Sequence, residues 1–174
     1  MKKRIIYAVL LLISIIGLRL NANAQLFHAK GEKGFTINGM MHNNGNGIRI
    51  AYESIFKKRL KYSVGSEGIF SKEYATKDSK YSIDGRISYT ITNIKQRIFF
   101  DGYAGVGVGI EHLKDRISGD KKDSFMVKEI LGVRIEYCIS ERIYINLETR
   151  QNLYQLNRNG TGIFEFGLGI TINL

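Results

Sequence analysis

Between Lys80 and Ile91 the chain alternates strictly. One parity reads Tyr81, Ile83, Gly85, Ile87, Tyr89 and Ile91; the other reads Lys80, Ser82, Asp84, Arg86, Ser88 and Thr90. Successive side chains of a strand point to opposite faces, so this stretch predicts a strand with one apolar and one charged face. The carboxyl end repeats the pattern, with Phe164, Phe166, Leu168, Ile170, Ile172 and Leu174 set against Ile163, Glu165, Gly167, Gly169, Thr171 and Asn173. A helix would gather residues three and four apart on one face, and neither segment does so. Marking off such segments predicts strands near 34–41, 47–56, 60–70, 80–91, 97–113, 125–138, 142–153 and 162–174.

The connections then suggest an architecture. They fall at 42–46, 57–59, 71–79, 92–96, 114–124, 139–141 and 154–161, so long and short alternate, and 71–79 and 114–124 are strongly polar. Tight turns on one side and longer loops on the other predict an all-β, eight-stranded antiparallel up-and-down transmembrane β-barrel. An even strand count places both termini on the turn side, which in an outer membrane is the periplasm. Closure follows because an open sheet would leave unpaired backbone groups in hydrocarbon. With the apolar parity outward, Arg49, Glu53, Lys61, Glu67, Asp84, Arg86, Asp101, Lys128, Arg134, Glu136, Glu148, Arg150 and Glu165 fall inside as a lumen charge network. Both signs are present, so they can pair; the opposite assignment would cost about 2–4 kcal/mol for each Arg or Lys held at mid-membrane. Gly105, Gly107, Gly109, Gly167 and Gly169 on the inner parity make room. Tyr52, Tyr62, Tyr81, Tyr89 and Tyr137 lie outward near strand ends, where aromatic girdles belong. Glu129 breaks the pattern by falling on the outward parity, which a bulge or a rim position would explain. A soluble barrel of the lipocalin or avidin kind is the structural rival, with apolar groups inside and charges in water.

The amino terminus favours the membrane. Lys2, Lys3 and Arg4 precede an apolar run from Ile5 to Leu18, and Ala22-Asn23-Ala24 supplies the small residues of a cleavage site. The expectation is a signal peptide over 1–24 and a mature barrel over 25–174, beginning at Gln25, in a Gram-negative outer membrane. Removing 1–24 takes away Lys2, Lys3, Arg4 and Arg19 and no acid, which lowers the formal net charge from +10 to +6. Those positive residues are scattered among acids, so no direct nucleic-acid contact is expected. Cys138 is the only cysteine, which excludes an internal disulfide and suits a small packing residue.

Candidate chemistry is sparse. Gly105-Val-Gly107-Val-Gly109 lacks the spacing of a phosphate loop and has no helix after it. The histidines are His28, His42 and His112; the last two fall near the loop-side rim, but no Ser or Cys stands at a recognisable spacing from them. The acids of 114–124 do not follow calcium-loop spacing. Lys114, Arg116, Lys121 and Lys122 in the same segment read as a solvated loop, or as a contact with lipopolysaccharide phosphates. Asn159-Gly160-Thr161 matches a glycosylation sequon, without consequence in a bacterium. No catalytic, metal or cofactor-binding residue is expected, and no small-molecule substrate, since an eight-stranded lumen is filled by its own side chains.

The segments Glu136-Tyr-Cys-Ile-Ser-Glu-Arg-Ile-Tyr-Ile-Asn-Leu-Glu-Thr-Arg-Gln-Asn-Leu-Tyr154 and Gly162-Ile-Phe-Glu-Phe-Gly-Leu-Gly-Ile-Thr-Ile-Asn-Leu174 resemble the carboxyl-terminal half of the TraO family, conjugative-transposon proteins of Bacteroidetes. Gly102-Tyr-Ala-Gly-Val-Gly-Val-Gly-Ile-Glu-His112 and a signal followed by Gln25 fit the same family. The resemblance covers most of the mature chain and implies a structural, non-enzymatic part of a conjugation apparatus. Its partners would be outer-membrane lipid and, on the periplasmic side, other conjugation proteins. Lys57, Lys58 and Arg59, three charges on one tight turn, are the candidate partner contact. The other reading is a general small outer-membrane barrel in adhesion or envelope integrity.

Overall fold

A computed structural model describes residues 31–42, 45–57, 59–72, 76–115, 117–155 and 162–174. The signal segment, Gln25, His28, Lys58, Arg116 and the 159–161 sequon lie outside the described residues. Strands β1 (Lys33–His42), β2 (Gly45–Lys57), β3 (Leu60–Lys72), β4 (Thr76–Ile94), β5 (Ile98–Asp115), β6 (Lys121–Cys138), β7 (Ile143–Gln155) and β8 (Gly162–Asn173) each pair antiparallel with the next. Pairing of β1 with β8, from Gly34 opposite Asn173 to Met41 opposite Phe166, closes the ring. The fold expected from the alternation, a closed eight-stranded up-and-down barrel, is the fold observed.

Side chains alternate between the two surfaces as the sequence parity requires. Ile87 is 60% exposed and Ile83 62%, while their neighbours Ser88 and Asp84 are 5% and 2% exposed. The apolar surface is therefore on the outside and the charged one within, which is the reverse of a lipocalin-like barrel. Tyr62, Tyr81 and Tyr89 are exposed, and Tyr52 and Tyr137 partly so. Phe35 joins Tyr52 edge to face at 5.6 Å and Phe70 joins Tyr81 at 5.8 Å, one pair toward each end of the barrel.

Two expectations are corrected. The described residues of 71–79 and most of those of 114–124 are strand: β3 runs on to Lys72, β4 begins at Thr76, β5 runs on to Asp115 and β6 starts at Lys121. Ladder hydrogen bonds belong to the backbone and need no apolar side chains, so a polar composition does not end these strands. Consequently β4, β5 and β6, of 19, 18 and 18 residues, rise beyond the rest at the end opposite the termini. Glu129 is at neither a bulge nor a rim. It pairs in unbroken register with Val106 and Leu153, and the irregularities lie at Ile55/Lys57 and Thr90/Thr92. Its exposed carboxylate stands within the outward band between Phe125 and Tyr137, diagonal to the partly exposed Gln151.

Candidate functional site

Every charge expected in the lumen is there, each no more than 6% exposed. The network has three layers. In the middle, Glu67 on β3 accepts from Lys128 Nζ at 3.0 Å and faces Arg150 Nη2 at 2.6 Å and Arg86 Nη2 at 3.6 Å. Asp84 accepts from Arg49 Nη2 at 2.7 Å and from Arg86 Nε at 2.9 Å. Arg86 also faces Glu148 at 3.6 Å, and Arg150 Nε donates to Glu165 at 2.6 Å. This layer joins Arg49, Arg86, Lys128 and Arg150 to Glu67, Asp84, Glu148 and Glu165, so it is neutral. Neutrality matters because a buried charge left unpaired costs several kcal/mol.

Toward the termini, Lys61 Nζ bridges Asp101 and Glu136, the latter at 2.7 Å. Arg134 clasps Glu53 with two bonds, of 2.7 and 3.1 Å, and reaches Glu136 at 3.0 Å. At the opposite end Lys80 meets Asp78 at 2.5 Å and Glu111 at 3.1 Å, with its ammonium 5.2 Å from the Tyr154 ring centre. Lys80, Glu111 and Asp78 are not among the lumen charges expected from the sequence, although all three sit on the inward parity that flags the others. Large inward side chains fit because inward glycines lie between them. Gly107 stands between Asp84 on β4 and Lys128 on β6, and a Cβ there would come within 2.7 Å of Lys128 Cε.

These contacts fill the bore. The cleft at the termini end, lined by Glu32, Glu53, Lys61, Glu136 and Tyr144 among others, has a cavity volume of about 20 Å³, room for one water. Small-molecule sites need roughly 300–1,000 Å³. No group of acids, His and Cys suited to a metal ion occurs among the described residues. Cys138 packs against Phe99 and Tyr144, with Sγ 3.1 Å from the Ser140 carbonyl, as its packing role requires.

The sequence matches no protein-family model and no curated protein. Solved structures do match. The amino-terminal β-barrel domain of Pseudomonas aeruginosa OprF has a TM-score of 0.60 at 12% identity, covering 83% of this chain and 98% of that one. A major outer membrane protein from Thermus thermophilus has a TM-score of 0.64 at 10% identity, covering 84% and 100%. Ail, the attachment invasion locus protein of Yersinia pestis, has 0.54 at 12% identity, covering 84% and 100%. The likeness is one of fold: that of small outer-membrane β-barrels.

The ends carry the remaining candidates. Lys57 and Arg59 are exposed at the termini end; the Arg59 carbonyl accepts the Thr90 N–H at 2.8 Å, and its guanidinium stands 3.5 Å from the Tyr89 hydroxyl. At the other rim His112 Nδ1 is 2.7 Å from Asp123. His42 Nε2 is 3.2 Å from the Ser71 hydroxyl, across 29 positions of sequence. Pairing of β1 with β2 and of β2 with β3 brings those two together, and no spacing rule could have shown it. Lys114, Lys121 and Lys122 are exposed; Lys114 and Lys121 are direct cross-strand partners, whereas Lys122 pairs with Leu113 and so belongs to the other parity. Asp115 is occupied in its own turn, accepting the Ile117 N–H at 2.7 Å and the Ser118 N–H at 3.3 Å.

Proposed function

We propose that this chain is an exported, non-enzymatic barrel of a Gram-negative outer membrane, serving as a structural component of a conjugative DNA transfer apparatus. The observation that carries the membrane part is the inverted burial: paired charges fill the lumen, and Ile, Leu, Val and Phe side chains face outward all round. In water that exterior would be a large exposed apolar surface; in lipid it is the stable arrangement. The carboxyl terminus, Arg59 and the turns at 95–97 and 139–142 then face the periplasm, and lipid is the principal partner. Outer-membrane fractionation, with gel mobility that changes on boiling, tests this. Recovery from the soluble periplasm with no such shift would overturn it.

Support for the transfer role comes from the resemblance of 136–154 and 162–174 to the TraO family. The filled bore adds a reason to look for a structural job, because bulk solute passage has no path. Deleting the gene from donor cells should sharply reduce mating-dependent DNA transfer while growth and envelope integrity stay intact. Normal transfer would leave a role in adhesion or envelope integrity. The Ser71–His42 contact offers the test of the non-enzymatic part: covalent labelling of Ser71 by a fluorophosphonate would overturn it.

A further inference from the structure

Three lysines on three consecutive strands stand in direct register. Lys77 on β4 pairs with Lys114 on β5, and Lys114 with Lys121 on β6. Directly paired residues share a face, and this row continues the outward parity of Tyr81, Ile110 and Phe125. Lys77, Lys114 and Lys121 are all exposed. With neighbouring strands about 4.8 Å apart, the row spans roughly 10 Å of the outer surface.

Like charges directly opposite one another destabilise a sheet. Here the opposition occurs at three successive pairings, since Lys72 on β3 also pairs with Lys77, and none of Lys77, Lys114 or Lys121 has an ion-pair partner among the described residues. Among the described strand residues the next row on the same face holds one acid, Asp123, and its carboxylate is already at His112 Nδ1, 2.7 Å away. Beneath that row come Tyr81 and Phe125, the aromatic edge of the apolar band. The lysines therefore sit just beyond the hydrocarbon boundary, at headgroup height, and face out toward lipid.

From this placement we infer that the row Lys77–Lys114–Lys121 is a binding site for the phosphates of lipid headgroups in the outer leaflet, with a multiply phosphorylated glycolipid such as lipopolysaccharide as its occupant. Lysine ammonium groups are point charges suited to phosphate oxygens, and three in a line can hold more than one phosphate of the same headgroup. Bound phosphates would also turn the mutual repulsion of the row into a shared attraction. The inference rests on the membrane reading above.

The test uses the mature chain folded into vesicles of phosphatidylcholine alone, or of phosphatidylcholine with lipopolysaccharide, and the variant Lys77→Ser/Lys114→Ser. In phosphatidylcholine the variant should be as stable as the parent or more so, because repulsion is relieved. With lipopolysaccharide the order should reverse, and lipid retained by the detergent-extracted barrel should fall more than about tenfold, taking each lysine near an anionic surface at about fivefold. The loss should shrink with added salt. Lys33→Ser/Lys57→Ser, at the other end, is the control and should retain lipid as the parent does. Equal retention by parent and row variant, or equal loss in the control, would overturn the site. So would release by millimolar inorganic phosphate, which would mark a site for free phosphate instead. A chain that enters neither vesicle overturns the membrane reading itself, whereas one that inserts without lipid preference overturns only the site.

Discussion

Arg150 on β7 places Nη2 2.6 Å from Oε2 of Glu67 on β3, with both side chains wholly buried. In a closed ring of eight strands β3 and β7 stand opposite each other, so this contact crosses the full width of the lumen. Glu67 is also approached by Lys128 and Arg86, at 3.0 and 3.6 Å. One carboxylate thus ties strands from three other positions of the ring.

Glu67→Ala should consequently be among the costliest lumen changes. It leaves three buried cations short of a shared partner, and breaking a buried pair from one side costs about 3–5 kcal/mol. Urea unfolding of the vesicle-inserted barrel measures it. A loss no larger than that of Ser88→Ala would show that lumen water, more than Glu67, balances those cations.

The two surfaces can be told apart by a neighbouring pair. Ile87 is outward and 60% exposed; Ser88 is inward and 5% exposed. Ile87→Arg should reduce stability by about 2–4 kcal/mol if that position lies near the bilayer midplane, while Ser88→Asn should cost far less. The opposite order in the same unfolding assay would mean that the faces are exchanged.

Glu129 is the outward residue whose chemistry contradicts its surroundings, between Val106 and Leu153. An acid facing lipid costs less than Arg or Lys but still costs. Glu129→Leu is therefore expected to raise stability, by about 1 kcal/mol, in a barrel with lipid on that side. A fall in the unfolding midpoint would point instead to a polar contact made by Glu129 in the membrane.

Much of the barrel is legible in the residues alone because the period of two carries the information twice. Parity in 80–91 and 162–174 marks the strands, and the cost of a charge in lipid tells which parity faces in. Strand ends are less legible. Asn93 is a turn-forming residue, yet the chain turns two residues later, and the polar residues Lys72 and 76–79 belong to the ladder. Neither outcome depends on side-chain polarity; both depend on where partner backbone groups stand. The lysine row and the Ser71–His42 contact are illegible for the same reason. Each needs cross-strand register, which sequence periodicity leaves free to slide.

That late turn carries its own expectation. Lys95 and Gln96 both have positive φ, 49° and 55°, and the Arg97 N–H donates to the Ile94 carbonyl at 3.0 Å. The connection has three residues, 95–97, between the paired Ile94 and Ile98, and positive φ at its first two positions favours Asn and Gly, neither of which is present. Gln96→Gly should relieve the left-handed conformation and raise stability by about 1 kcal/mol. An unchanged or lower midpoint in the unfolding assay would mean that Gln96 makes contacts worth more than the strain.

The last expectation concerns the turn between β2 and β3. Lys57 and Arg59 are exposed there, at the end that also carries the termini. If the barrel works in a transfer apparatus, its periplasmic partners meet this end, and a compact positive turn would fix the approach of an acidic surface more than it would add affinity. Lys57→Glu/Arg59→Glu should then lower mating-dependent transfer severalfold, while the barrel stays in the outer membrane and keeps its heat-dependent mobility. The paired alanine variant should do less, because it removes the attraction without adding repulsion. Stability should hardly move in either case, since exposed charges contribute little to folding. Transfer at the parental level from the double reversal, with the protein correctly located, would remove this turn from the partner surface. A loss of barrel from the membrane would instead assign Lys57 and Arg59 to holding the turn, where Arg59 already bonds Thr90 through its backbone.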